Sequence, residues 1–185
     1  MRKSFCSLIS FLLFSLLACG AASAHWYVAP TGNDANNGSK RKPLKTIAAA
    51  LQRVNPGDTV FLREGSYGEF VVPTRSGKPG KMITLKSYPG ETAKIDGSDL
   101  YIKGWGNALV QVNNIDYMQF ENLHICHAHD SENNTDPEGI YITGTSGNIT
   151  FRGCKVYDIK NDCPLVDASL SAGCELACCH PYLRP

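Results

Sequence analysis

The feature that most limits the folds open to this chain is a short stretch that it spells twice. Tyr117-Met118-Gln119-Phe120-Glu121-Asn122-Leu123-His124-Ile125 lies over Asn148-Ile149-Thr150-Phe151-Arg152-Gly153-Cys154-Lys155-Val156, so that Tyr117 falls on Asn148 and Ile125 on Val156. In both copies an apolar residue stands two places before a turn residue, and apolar residues follow: Phe120, Leu123 and Ile125 in one, Phe151, Cys154 and Val156 in the other. The turn residue is Asn122 in the first copy and Gly153 in the second, two types that reach positive φ cheaply. Each copy therefore reads as two strands meeting at a tight corner, and the matching apolar residues would stack on one another.

The same kind of segment recurs upstream. Residues 59–62, 70–72, 82–85, 93–95 and 109–112 are short and apolar, and each is bounded by Gly, Pro or Asn. Leu62, Leu85 and Val110 follow one another at nearly equal intervals. Strands of three to five residues, corners set by Asn or Gly and a period in the low twenties describe a parallel β-solenoid cored by a column of inward side chains. A jelly roll or sandwich is the alternative all-β fold. It would need hairpin turns about every 8–12 residues, whereas these copies repeat as whole units.

One segment keeps a helical period instead. Ile47, Ala50, Leu51 and Val54 fall at i, i+3, i+4 and i+7, with Thr46 placed as an N-cap and Asn55-Pro56-Gly57 as a stop. A helix over 46–54 just before the first coil would cover the apolar end of the solenoid.

Residues 1–24 are of a different kind. Met1-Arg2-Lys3, an apolar run to Leu17 and the small residues Ala18 to Ala24 have the order of a secretory signal peptide, with Ala22-Ser23-Ala24 as the cleavage site before His25. Leu16-Leu17-Ala18-Cys19 offers the alternative of a lipoprotein anchored through Cys19. The expected location is extracellular or periplasmic. No later stretch is apolar enough to span a membrane. The 18 basic and 17 acidic residues give +1, with no basic patch for nucleic acid. A hydrophobic content of 43% suits one ordinary globular domain, expected to be a monomer.

The opening of the mature chain carries a resemblance. Trp26-Tyr27-Val28-Ala29-Pro30-Thr31-Gly32-Asn33-Asp34, Lys42-Pro43-Leu44-Lys45-Thr46-Ile47 and Pro56-Gly57-Asp58-Thr59-Val60-Phe61-Leu62-Arg63-Glu64-Gly65-Ser66-Tyr67 resemble the start of secreted right-handed parallel β-helix proteins, above all the pectate lyases of polysaccharide lyase family nine. The resemblance covers about residues 26 to 160. It implies an all-β right-handed parallel β-helix with a short N-terminal capping helix. It also implies β-elimination on an acidic, uronate or pectin-type polysaccharide such as pectate: a basic side chain, usually Lys, removes the C5 proton while calcium neutralises the carboxylate. The family's base and calcium aspartates lie on later coils, so none is matched here and the catalytic residues remain unknown. A non-catalytic carbohydrate-binding or structural β-helix of the cell exterior is the alternative.

Three clusters are candidate sites. Asp130, Glu132, Asp136 and Glu138, with Asn134 between them, alternate along one stretch and in an extended loop would share a face for calcium. Tyr88, Tyr101 and Trp105 fall where strands give way to turns, and flat rings of this kind stack on sugar faces. His124, Cys126, His127 and His129 have metal-ligating side chains, but strict strand alternation points the first two one way and the last two the other, against one shared metal.

Residues 25–160 thus read as the cap and first coils. In 161–185 the strand pattern lapses, and Cys163, Cys174, Cys178 and Cys179 crowd together at no trusted metal spacing. The expectation there is an atypical tail, from a shifted frame or a truncated gene, and a product of low stability.

Overall fold

The computed structural model describes residues 23–101, 108–129 and 137–159, together with the backbone of three short strands at 165–166, 175–177 and 180–181. The chain is a coil of short strands wound into three parallel walls. The first wall contains β1 (His25–Val28), β2 (Thr59–Leu62), β4 (Ile83–Ser87), β7 (Asp116–Glu121), β10 (Gly147–Arg152) and β13 (Glu175–Ala177). The second contains β3 (Gly65–Tyr67), β5 (Ala93–Asp96), β8 (Leu123–Ala128), β11 (Lys155–Ile159) and β14 (His180–Pro181). The third contains β6 (Ala108–Asn113), β9 (Glu138–Thr143) and β12 (Leu165–Val166). From β4 onward the chain visits first, second and third wall in strict rotation, which is a right-handed parallel β-helix.

Register turns the rotation into a core. Val60 pairs with Leu85, Leu85 with Phe120 and Phe120 with Phe151 down the first wall. All four are fully buried. The two phenylalanine rings lie 4.4 Å apart and within 5° of parallel. In the second wall Ile95, Ile125 and Val156 form the equivalent column, and in the third Val110 lies on Ile140 and Val112 on Ile142. The overlay expected of the two clearest copies holds at every pair of β7 with β10 and of β8 with β11. The upstream intervals do not hold. Leu62 lies opposite Ser87 rather than Leu85, Leu85 stacks on Phe120, and Val110 belongs to another wall altogether. Apolar alternation identifies a strand but not the wall it joins, and loops of unequal length absorb the difference.

The corners are where expected. Asn122 has φ 53° and Gly153 φ 62°, and the Asn122 N–H donates to the Arg152 carbonyl at 2.9 Å. A Cβ added to Gly153 would stand 2.4 Å from Asn122 Oδ1, so a larger residue there would require the Asn122 side chain to move. In the preceding coil Ser87 fills the same corner: its hydroxyl donates to the Asn122 carbonyl at 2.6 Å and accepts from the Ala93 N–H at 3.2 Å.

Two upstream elements differ from the sequence reading. Residues 70–72 contribute only a single bridge, Val71 to Val110. In their place β3 forms around Tyr67, which is buried and whose hydroxyl donates to the carbonyls of Val28 at 3.0 Å and Arg63 at 2.9 Å. Helix α1 (Ile47–Leu51) is shorter than the expected 46–54. Thr46 caps it, accepting from the Ala49 N–H at 3.1 Å, and the Glu69 carboxylate takes the free N–H groups of Ile47 and Ala48. Ile47, Ala50, Leu51 and Val54 are buried and join the core that β1 and β2 open, so the helix does close that end.

Backbone pairing continues past 160: β12 adds to β9, β13 to β10 and β14 to β11, each parallel and each in the wall the rotation requires. Cys163, Cys174, Cys178 and Cys179 lie outside the described residues. No helix of the described residues is long and apolar enough to cross a membrane.

If the stacked column carries the fold, Phe151→Ala should cost about 3–5 kcal/mol in chemical denaturation. Phe61→Ala, on the outer face of the same wall, should cost less than half as much. Equal losses would show that the column is not what holds the coils together.

Candidate functional site

On the outer face of the second wall the side chains of successive coils fall in register and form two rows. In the first row Ser66 pairs with Lys94, Lys94 with His124 and His124 with Lys155. Adjacent strands lie about 4.8 Å apart, so this is a stripe of basic groups running along the solenoid axis. Burial lowers the pKa of His124, and the charges of Lys155 and Lys94 lower it further. The imidazole and the Tyr157 ring stand nearly perpendicular with their centroids 5.9 Å apart.

The second row is Asp96, Cys126 and Tyr157. Cys126 is fully buried beneath the cluster, and burial pushes its thiol pKa up, partly offset by a hydrogen bond with Tyr157. The Tyr157 hydroxyl is itself raised to about 12, by burial first and then by its contact with Cys126. Beyond this row the second wall turns. His127 has φ 59° and Asp158 φ 54°, both left-handed, and pairing resumes with Ala128 opposite Ile159.

This corner corrects the sequence reading of the histidines. Alternation would send His127 to the face opposite Cys126. The left-handed backbone at His127 swings its ring back, so that Asp96, Cys126 and His127 bring one ligand atom each within 4.8 Å of one another. His127 Nδ1 lies 2.8 Å from Asp96 Oδ1, and its Nε2 lies 3.5 Å from Asp158 Oδ2. His129 Nε2 approaches the other oxygen of Asp158 at 3.4 Å. Asp96 also accepts from the backbone N–H and the hydroxyl of Ser98 at 3.1 and 2.6 Å. Burial raises its pKa, but these bonds and the adjacent imidazole outweigh burial and hold it at about 2. No residue type in the sequence marks 127 as a left-handed corner, since His is a weaker signal for it than Asn or Gly.

The other sequence-derived candidates fall elsewhere. Tyr88 is half-buried on the first wall, packed against Phe61 at 5.7 Å and Tyr27 at 6.1 Å, with Lys40 and Arg63 over its ring at 4.8 and 5.0 Å. These neighbours cover part of its ring. Tyr101 is 53% exposed, and Trp105 lies outside the described residues. Asp130, Glu132 and Asp136 also lie outside them, whereas Glu138 opens β9 opposite Ala108 and is buried rather than displayed on a loop.

A family model described as Pel9A-like, right handed beta helix region matches residues 26–180. The chain is 32% identical over 134 residues to the uncharacterized protein YwoF of Bacillus subtilis strain 168, covering 72% of this chain and 29% of that protein. Pectate lyase PEL9 of Emericella nidulans is 26% identical over 147 residues, covering 74% of this chain and 34% of that one. The crystal structure of pectate lyase Pel9A superposes with a TM-score of 0.56 at 25% identity, over 75% of this chain and 35% of the other. The chain therefore spans about a third of the length of these three relatives.

The two lysines flanking His124 make its titration a readout of the stripe. By NMR its midpoint should lie below the ordinary value of 6.5, and Lys155→Met should move it upward. Because the folded-state pKa is the lower one, His124 disfavours the fold as pH drops through 6.5, with the penalty complete below the folded midpoint. A midpoint at or above 6.5 would contradict the arrangement.

Proposed function

Because the chain belongs to the Pel9A-like right-handed β-helix family, we propose that it engages an acidic, uronate-type polysaccharide such as pectate, as a polysaccharide-lyase-like protein of the cell exterior. The observation that carries this reading is the outward row Lys94, His124 and Lys155. Its cationic ends, Lys94 and Lys155, stand two strand spacings apart along the solenoid with His124 between them, so carboxylates projecting from an extended polyuronate can be met on alternate coils. Electrostatic complementarity of this kind favours a polyanion over a neutral glycan. Export through the 1–24 leader belongs to the same reading, with anchoring through Cys19 as its alternative.

The reaction proposed with it is β-elimination. A base takes the proton from C5 of a uronate, the released electron pair forms the C4–C5 double bond, and the oxygen on C4 departs with the chain it carries. In this scheme Lys94 and Lys155 hold carboxylates in place. No residue is assigned as the base. A non-catalytic binding protein is the second reading, since the row Lys94, His124 and Lys155 can hold carboxylates without any reaction following.

Both readings separate in one assay, run on protein recovered from the medium of an exporting host, with His25 as the expected first residue. Incubation with polygalacturonate and calcium should generate an unsaturated uronate that absorbs in the ultraviolet. Retention of the polymer without that absorbance selects the binding protein. In either case Lys94→Ala and Lys155→Ala should each weaken polygalacturonate binding roughly 3–10-fold at low salt and less at high salt, with the double variant weaker still. Unchanged affinity in the double variant removes the stripe from the proposal.

Calcium is proposed at the acidic segment, through Asp130, Glu132 and Asp136. The described residues do not supply a calcium set of their own: Glu138 is buried in β9, and the cluster around Asp96 mixes sulfur and nitrogen with oxygen, whereas calcium takes six to eight oxygens. Calorimetric titration of the full chain should give a calcium isotherm that Asp136→Ala abolishes. No heat from either protein ends the idea.

A further inference from the structure

We propose that Asp96, Cys126 and His127 form a binding site for a borderline divalent transition metal, zinc or cobalt in type, on the outer corner of the second wall. Three observations converge on it. The first is proximity: one oxygen, one sulfur and one nitrogen ligand atom lie within 4.8 Å of one another, contributed by two adjacent coils. A tetrahedral zinc site, with bonds of about 2.0–2.3 Å, places its ligand atoms about 3.3–3.8 Å apart. Binding would draw the widest-spaced ligand atoms together by about 1 Å and open the pair Asp96 and His127 from 2.8 Å.

The second observation is the donor chemistry. A thiolate with an imidazole and a carboxylate selects zinc-like ions over calcium or magnesium, which prefer oxygen alone. The third is the outer partner. With the metal on Nδ1 of His127, its Nε2–H faces the Asp158 carboxylate at 3.5 Å. That sets a carboxylate behind the ring, where an outer partner orients a ligating histidine once the contact shortens to a hydrogen bond. Asp158 occupies the same left-handed corner as His127 one coil later, so the ladder itself sets this placement.

The site is anchored rather than looped. Asp96 pairs directly with Cys126 across the sheet, and the Gly97 N–H donates to the Cys126 carbonyl at 2.9 Å. Solvent reaches it, since the side chains of His127 and Asp96 are 35% and 20% exposed. On binding, the S–H bond of Cys126 breaks, its proton passes to water and a sulfur–metal bond forms. No oxidant or reductant is required. The three protein ligands leave one tetrahedral position for a water molecule.

Cobalt(II) titration of the full chain tests this directly, because thiolate ligation gives a near-ultraviolet charge-transfer band and tetrahedral geometry gives intense visible bands. The unsubstituted chain should take up one more thiolate-bound cobalt than Cys126→Ser does, and a tenfold excess of calcium should not displace it. Identical spectra for the two proteins overturn the proposal, whatever thiols elsewhere in the chain contribute. Should Cys126→Ser fail to fold, His127→Gln, at the partly exposed corner, serves instead. It should weaken cobalt binding at least tenfold, and undiminished binding counts against the site. Asp158→Asn should weaken it roughly tenfold while leaving the thiolate band in place.

Discussion

Everything in this molecule depends on one repeated contact: an inward side chain of one coil resting on its counterpart in the next. A parallel strand has no local partner, because its neighbour lies a whole coil away in sequence, so hydrogen bonding by itself cannot choose a register. The column of Val60, Leu85, Phe120 and Phe151 makes that choice. A slip of one residue would exchange inside for outside along the whole strand. Helix α1 matters for the same reason, since the first coil has no predecessor and its apolar face would otherwise meet water.

The outer face inherits the order that the core imposes. Once inward residues are in register, the residues between them are in register too, and whatever chemistry they carry is multiplied into a row. Lys94, His124 and Lys155 form such a row, and so do Asp96, Cys126 and Tyr157. Tyr27 and Phe61, stacked at 5.3 Å on the first wall, show the same rule with apolar rings. The walls differ chemically in their outward rows, while the inward rows are mostly apolar in all three.

How far the sequence could be read follows from these physical roles. The copies at 117–125 and 148–156 were legible because they share one loop length, one pair of corners and one column of large side chains. The coils before them were only half legible. Val71 and Val110 look like ordinary strand residues, and nothing in a period of two reveals that they belong to different walls from Leu85. Tyr67 holds β3 in place through two carbonyls that no propensity scale sees. At the cluster, the residue types were visible and their meeting was not, because alternation was extended through His127 when the backbone there is left-handed.

That corner also changes how the two sides of the coil are counted. A left-handed residue consumes one position of the chain without advancing the alternation, so it works as a phase shift between inside and outside. Since His127 and Asp158 both carry one, the shifts cancel between adjacent coils and the walls stay aligned. Between these two coils, adding or removing a residue at the corner in one alone would put the next pair, Ala128 on Ile159, out of register. The coil before has no such residue: Gly97 follows Asp96 without a left-handed φ and β5 ends there, so this corner begins with His127.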